Sequence, residues 1–209
     1  MRTCKILAAA FVSIAFSAGC EPSGSPNKPS SNPAPAPSST AAPAPSTPAP
    51  ADQSAAAAGD AVNAAGVVFT VPEGWKQVPP ANQMRLAELV YPDPSGDAAK
   101  ACTVAVSTAG GDIPSNIARW ENQMKDASGN VPKAQTTTKD VNGWKVHTVE
   151  IAGSYQGMSD PAPMPNWMMR AAIVETGGET LFIKMTGPAD TMQASTPGWN
   201  ALVESIRKP

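Results

Sequence analysis

From Glu21 to about Ala51 the chain draws chiefly on Pro, Ala, Ser and Thr, as in Asn32-Pro33-Ala34-Pro35-Ala36-Pro37 and Pro43-Ala44-Pro45-Ser46-Thr47-Pro48-Ala49-Pro50. Such a stretch lacks the apolar side chains whose burial would offset the entropy of ordering it, so it is expected to stay outside any core as a disordered tether. Some thirty residues at about 3.1 Å each reach roughly 90 Å if they run in polyproline II. The linker is taken to end near Ala65, and a folded domain has to be built from residues 66 to 209. At that size a domain buries roughly 70 per cent of its surface and needs no disulfide.

The residues before the tether read as an export signal. Arg2 and Lys5 are basic, Ile6 to Phe16 is an apolar run too short to span a bilayer, and Ser17-Ala18-Gly19 are small. Residues 1–19 are therefore expected to be a signal peptide. The small residues followed by Cys20 resemble the lipobox of bacterial lipoproteins, although Ser17 stands where that pattern has Leu. The resemblance implies a diacylated thiol at Cys20, anchoring the chain to a membrane. The alternative is an ordinary secreted protein cut nearby, for example after Ser17. Each buried methylene contributes about 0.8 kcal/mol, so two or three acyl chains hold firmly where one is marginal. By resemblance to lipoprotein sorting in bacteria with two membranes, Glu21 rather than Asp after the cysteine fits the outer membrane. Beyond the signal only Cys20 and Cys102 remain, and Cys102, in a strand pattern, reads as a small buried hydrophobe.

The domain alternates two periods. Val67 to Val71, Met84 to Tyr91 and Ala101 to Thr108 read as strands, and in the last of these Cys102, Val104 and Val106 share a face. Ile113, Ile117, Trp120 and Met124 make one stripe of a helix that stops by Gly129. Asn142-Gly143 predicts a hairpin between Lys133 to Asp140 and Trp144 to Ile151, because both central residues of a type I′ turn need positive φ. Gly177-Gly178 predicts a second, between Met168 to Thr176 and Glu179 to Thr186. At the end, Thr196 as cap and Pro197 at the first position open a helix whose face is Trp199, Leu202, Val203 and Ile206. The fold class is α+β, an antiparallel sheet flanked by helices.

Three of these segments carry a resemblance. Phe69-Thr70-Val71-Pro72-Glu73-Gly74-Trp75 is similar to the opening strand and Pro-x-Gly-Trp turn of the PsbP-like superfamily. Phe182-Ile183-Lys184-Met185-Thr186-Gly187-Pro188 resembles its last strand and Gly-Pro corner, and Trp199 to Arg207 stands where that family has its C-terminal helix. The resemblance covers residues 66 to 209 and implies an α/β/α sandwich. It also implies a mostly non-enzymatic role of assisting or binding other proteins, with no particular binding residue carried over.

Chemistry-bearing patterns are sparse. A net charge of −2 with 15% charged residues and no basic cluster argues against nucleic-acid binding. His147 is the single histidine, so a multi-histidine metal site is excluded, and mid-strand it reads as structural. Asp93-Pro94-Ser95-Gly96-Asp97 spaces oxygens as a calcium loop does but lacks the closing Glu, and reads as a turn. Neither a metal nor a cofactor is implied.

The segment from Tyr155 to Met169 says most. Met158, Met164, Trp167, Met168 and Met169 stand beside Pro161, Pro163 and Pro165. Flexible thioethers and an indole near a Pro-rich loop suit an adaptable binding surface, for which Met158, Met164 and Trp167 are the candidates. The competing reading packs Trp167 and the later methionines into the core, as expected also for Trp75, Trp120, Trp144 and Trp199. The function expected is that of a non-enzymatic envelope lipoprotein whose tethered domain binds another protein. Its rivals are a hydrolase built on Glu73, Glu88 or Asp93, and a structural envelope spacer.

Overall fold

The computed structural model describes residues 59–157 and 161–209. The lipidation candidate Cys20, the tether up to position 58 and Met158 lie outside the described residues. The folded body begins with a hairpin. Strand β1, Ala61–Ala64, pairs antiparallel with β2, Val67–Thr70, across Ala65 and Gly66, whose φ values are 50° and 75°. Val62 and Ala64 are buried while Ala61 and Asn63 face solvent. The domain thus starts ahead of Gly66, inside the segment expected to be linker. Ala-Val-Asn-Ala has little intrinsic strand preference, and here pairing with a strongly β-forming neighbour outweighs it. The hairpin is also tied to the other end of the chain, since Val68 and Arg207 exchange backbone bonds of 2.9 and 2.8 Å.

The remaining strands form one antiparallel sheet. Its order runs from β3 (Lys76–Val78) through β4 (Ala87–Tyr91), β5 (Cys102–Ala109), β10 (Thr180–Pro188) and β9 (Met164–Glu175) to β8 (Trp144–Tyr155). Both β6 (Met124–Lys125) and β7 (Gln135–Val141) pair with β8. The two expected hairpins are present. Asn142 and Gly143 have φ of 46° and 84° in the turn between β7 and β8, and Gly177 has φ of 81° between β9 and β10. Strand β4 begins later than the sequence suggests: Met84 is 82% and Leu86 48% exposed in the loop before it.

Period two decides which face each strand residue covers. One face carries Val104, Val106, Ile183, Met185, Ala172, Val174 and Val146, packed in one cluster with Phe69, Trp75, Met192, Trp199, Leu202 and Ile206. It is covered by the β1–β2 hairpin and by two short helices, α2 (Ala189–Ala194) and α3 (Thr196–Glu204). The other face carries Met169, Ala171, Ile173, Val149, Ile151 and Phe182 against Trp120 of α1 (Ile113–Glu121). The rings of Trp120 and Phe182 meet edge to face, 5.6 Å apart at 87°. Helices therefore cover both faces of an antiparallel sheet, which makes the fold α+β. Cys102 is fully buried on the first face, and burial pushes its thiol up to about 12, out of the reactive range.

Two local expectations are corrected. Met124 continues the apolar stripe in spacing but belongs to β6, because α1 ends at Glu121; its side chain still joins the same cluster. Thr196 does not cap α3. Ser195 precedes it with helical φ and ψ of −75° and −6°, so α2 runs almost directly into α3 and leaves no extended residue to cap. The Thr196 hydroxyl instead accepts a hydrogen bond from Arg170, 3.0 Å away.

Candidate functional site: the surface around Trp167

Strands β8 and β9 fall out of register near one end. Gly153 pairs with Trp167 and Tyr155 with Met164, so Ser154 alone faces both Pro165 and Asn166. That is a bulge on β9, and the residue types explain it. Pro165 has no N–H to give to a ladder, and Asn166 takes a left-handed φ of 55°, a conformation asparagine tolerates better than most residues. Downstream, Met168 and Met169 turn into the core at 7% and 0% exposure. At the bulge itself Met164 and Trp167 stay half-buried at the surface. Among its described residues the methionine-rich segment therefore divides: Met168 and Met169 are core, and Met164 and Trp167 are surface.

Trp167 is braced from one side. Its ring stacks on Tyr155 with centroids 5.8 Å apart and an interplanar angle of 11°. A stacked aromatic pair fixes the indole at little further entropy cost. Beside β6, Gly153 passes so close that a Cβ would press into the backbone of Lys125.

Three depressions meet at this indole. The largest, about 590 Å³, lies toward Asp93, Pro94, Lys100, Pro188 and Asp190. A second, about 340 Å³, lies toward Lys125, Asp126 and Ala127. The third, also about 340 Å³, continues past Met164 and Tyr155 to Arg85, Glu88 and Thr186. Met84 and Leu86, which flank Arg85 in sequence, are exposed. Sequence reasoning missed that exposure by placing Met84 in a strand. The signal available was Asn82, whose side chain closes a turn by accepting from the Met84 N–H at 3.0 Å.

The carboxylates considered for hydrolysis are apart. Glu73 is exposed in the turn after β2. Glu88 is 8% exposed, pairs with Arg85 at 2.7 Å and accepts from the Ala81 N–H at 2.8 Å. Asp93 borders a different depression from Glu88. Its carboxylate accepts from the Ser95 hydroxyl, from the Thr191 hydroxyl at 2.6 Å and from the Ser95 N–H at 2.9 Å. These bonds, those of the two hydroxyls foremost, hold its carboxyl below the ordinary value of 3.8. Asp97 accepts from the Ala99 N–H at 3.0 Å, so the Asp93 to Asp97 segment uses its oxygens to close turns. Among the described residues no three potential ligands gather for a metal ion.

The Asp93 geometry predicts a pH effect with a definite sign. A carboxylate with a depressed folded pKa stabilises the fold above its unfolded pKa, and that contribution is lost as pH falls through the lower folded value. The stability difference between the parent and Asp93→Asn should therefore shrink as acid unfolding is followed from neutral pH to below the ordinary carboxylate range. A difference that stays constant over that range would show that the bonds at Asp93 do not favour its ionised form.

His147 spans three strands. Its Nε2 lies 2.6 Å from Glu175 on β9 and its Nδ1 lies 2.8 Å from the Thr138 hydroxyl on β7. The hydrogen bond to His147 keeps the Glu175 carboxyl below its usual range. This is a cross-strand tie, matching the structural reading of a mid-strand histidine. Trp75, Trp120 and Trp199 are core residues, while Trp144 is half-buried with the Lys208 ammonium 5.2 Å above its ring.

No family model matches the chain, and no curated protein matches it. Among solved structures it is similar to cyanobacterial PsbP from Synechocystis sp. PCC 6803, at 15% identity and a TM-score of 0.46, over 74% of this chain and 94% of that one. It is similar to LpqN of Mycobacterium tuberculosis, described as involved in cell envelope biogenesis, at 15% identity and a TM-score of 0.41, over 68% of this chain and 83% of that one. A protein of unknown function from Pseudomonas aeruginosa, described as a putative regulator, is similar at 13% identity and a TM-score of 0.38, over 70% of this chain and 94% of that one. At such identities and scores the likeness carries no function to this chain.

Proposed function

We propose that the chain is an exported lipoprotein, anchored through Cys20, whose domain binds another protein of the bacterial cell envelope at the Trp167 surface. The observation that carries the reading is the braced indole of Trp167 at the meeting of three depressions, beside the half-buried Met164. Fixed aromatics ringed by adaptable apolar groups are what protein-binding hot spots are made of. The largest depression adds charge: Asp93 and Asp190 outnumber Lys100, whose ammonium is 3.7 Å from Asp97. A partner presenting a basic side chain over the indole would gain both carboxylate attraction and a cation–π contact.

Anchorage rests on the basic, apolar and small-residue pattern that ends at Cys20. No helix among the described residues is long and apolar enough to cross a membrane. The tether would set the domain clear of the lipid surface, where its partner is met.

The test places a photo-crosslinking residue at exposed Pro165 in cells, with Glu179 on a distant turn as control. One adduct of defined mass at position 165 is expected, absent at 179 and lost with Trp167→Ala. An adduct indifferent to Trp167, or none, would count against the binding reading and favour a spacer. Metabolic fatty-acid labelling run on the same strains should mark the parent and not Cys20→Ala; label that persists in the variant would remove the anchor.

A further inference from the structure

A second site lies elsewhere on the domain, around Arg170. On the face that is otherwise apolar, the register sets Gln135 of β7 opposite Glu150 of β8, and Glu150 opposite Arg170 of β9. The neighbouring pair on that face is Thr137 and Thr148. A polar row thus crosses three strands where Val146, Ala172 and Val174 would lead one to expect hydrophobic residues. The first turns of α3 stand over this row, and between them remains a cavity of about 330 Å³ bounded also by Lys139, Trp199 and Asn200. None of its lining residues borders the depressions around Trp167.

Arg170 is held there rigidly. The residue is 7% exposed; its Nε donates to Glu150 at 2.7 Å, and its Nη1 donates to the Met192 carbonyl at 2.9 Å and the Thr196 hydroxyl at 3.0 Å. Its second terminal nitrogen, Nη2, makes no hydrogen bond with any described residue. Among the described residues the buried side-chain polar atoms without a partner are Gln123 Oε1 and Trp144 Nε1, so Nη2 is reached by solvent, and Arg170 lines this cavity: a guanidinium fixed by its other nitrogens keeps one donor open to a ligand. Glu150 neutralises one positive charge, and Lys139, which has no ion pair among the described residues, leaves the cavity with an excess of one. The hydroxyl of Thr137 and the amides of Gln135 and Asn200 offer further donors, while the Thr148 hydroxyl donates to the Thr137 carbonyl.

We infer that this cavity binds a small oxyanion, a carboxylate or phosphate on a hydroxylated body, with Arg170 Nη2 and Lys139 Nζ taking the anionic oxygens. Planar guanidinium groups suit both anions, and the exposed oxygen of Glu150 can accept a hydroxyl of the same ligand. The volume matches a single sugar-sized molecule.

The test is an NMR titration of the full chain with glucose 6-phosphate, gluconate and neutral glucose, following the Arg170 Nε–H and Trp199 indole N–H resonances. At least one of the anionic probes should shift both resonances saturably, and glucose should not. Lys139→Gln, on an exposed side chain, should weaken that binding by about fivefold, the size of one partly screened charge contact. Arg170→Lys should abolish it, and the exposed Lys139 variant keeps the test valid if that buried change fails to fold. Equal binding of glucose, or shifts unaffected by Lys139→Gln, would overturn the oxyanion assignment. Absence of any shift with all three probes would overturn the site.

Discussion

Replacing Phe69 by Ala is expected to destabilise the domain by about 3–5 kcal/mol, the usual cost of deleting a fully buried aromatic side chain and leaving a cavity. Phe69 has no exposed surface and stands in the β1–β2 hairpin, facing the cluster that includes Trp199 and Leu202 of α3. Domains of this size have a total stability of about 5–15 kcal/mol, so the loss would be a large share of it. A midpoint drop on the order of 10 °C should follow, since about 1 kcal/mol corresponds to 2–4 °C at this length. Chemical denaturation reads the change directly. A cost under about 1 kcal/mol would mean that the hairpin does not pack as described.

The second large effect concerns binding. If the domain binds an envelope partner as proposed, Trp167→Ala is expected to weaken its capture by at least about 2 kcal/mol, roughly thirtyfold, as truncating a central aromatic of an interface does. The ring is half-buried and stacks on Tyr155, so the fold should lose less than the roughly 3–5 kcal/mol that deleting a fully buried aromatic costs. That separation is what makes the variant informative. Met164→Lys, at the edge of the same surface and opposite Tyr155, should weaken capture by a smaller factor while keeping both rings of the stack. Unchanged affinity in both variants would remove Trp167 from the site.

The parts of the fold legible in the sequence were those whose local chemistry admits few alternatives. Asn142-Gly143 needs positive φ at two residues and obtained it; the apolar stripe from Ile113 to Trp120 has helical spacing and is a helix. The strand patterns holding Val104 and Val106, and the closing face of Trp199, Leu202, Val203 and Ile206, were equally direct. What escaped depends on distant partners. Strand β1 looks like more linker because its residues are alanine-rich, and only β2 makes it a strand. Helix α2 has no side-chain cap and only six residues, too few for a periodic signal. Met124 kept helical spacing by coincidence while belonging to a strand.

The geometry of the candidate surface was half legible. Composition pointed to the segment from Tyr155 to Met169, and Met164 and Trp167 do border one depression together. Which methionines were core and which surface was set by the bulge at Pro165 and Asn166, where the facing strand contributes Ser154 alone. A one-residue offset between two strands cannot be read from either strand by itself. Exposure of Met84 and the open nitrogen of Arg170 are likewise products of tertiary placement rather than of local pattern.

The division of the chain into a delivery segment and a self-sufficient body is tested most directly by equilibrium unfolding of two versions, one beginning at Glu21 and one at Gly59. Equal midpoints and a single cooperative transition in each are the expected result. A lower midpoint or a broadened transition for the shorter version would show that residues before Gly59 belong to the folded unit, and the account would then be wrong at its base.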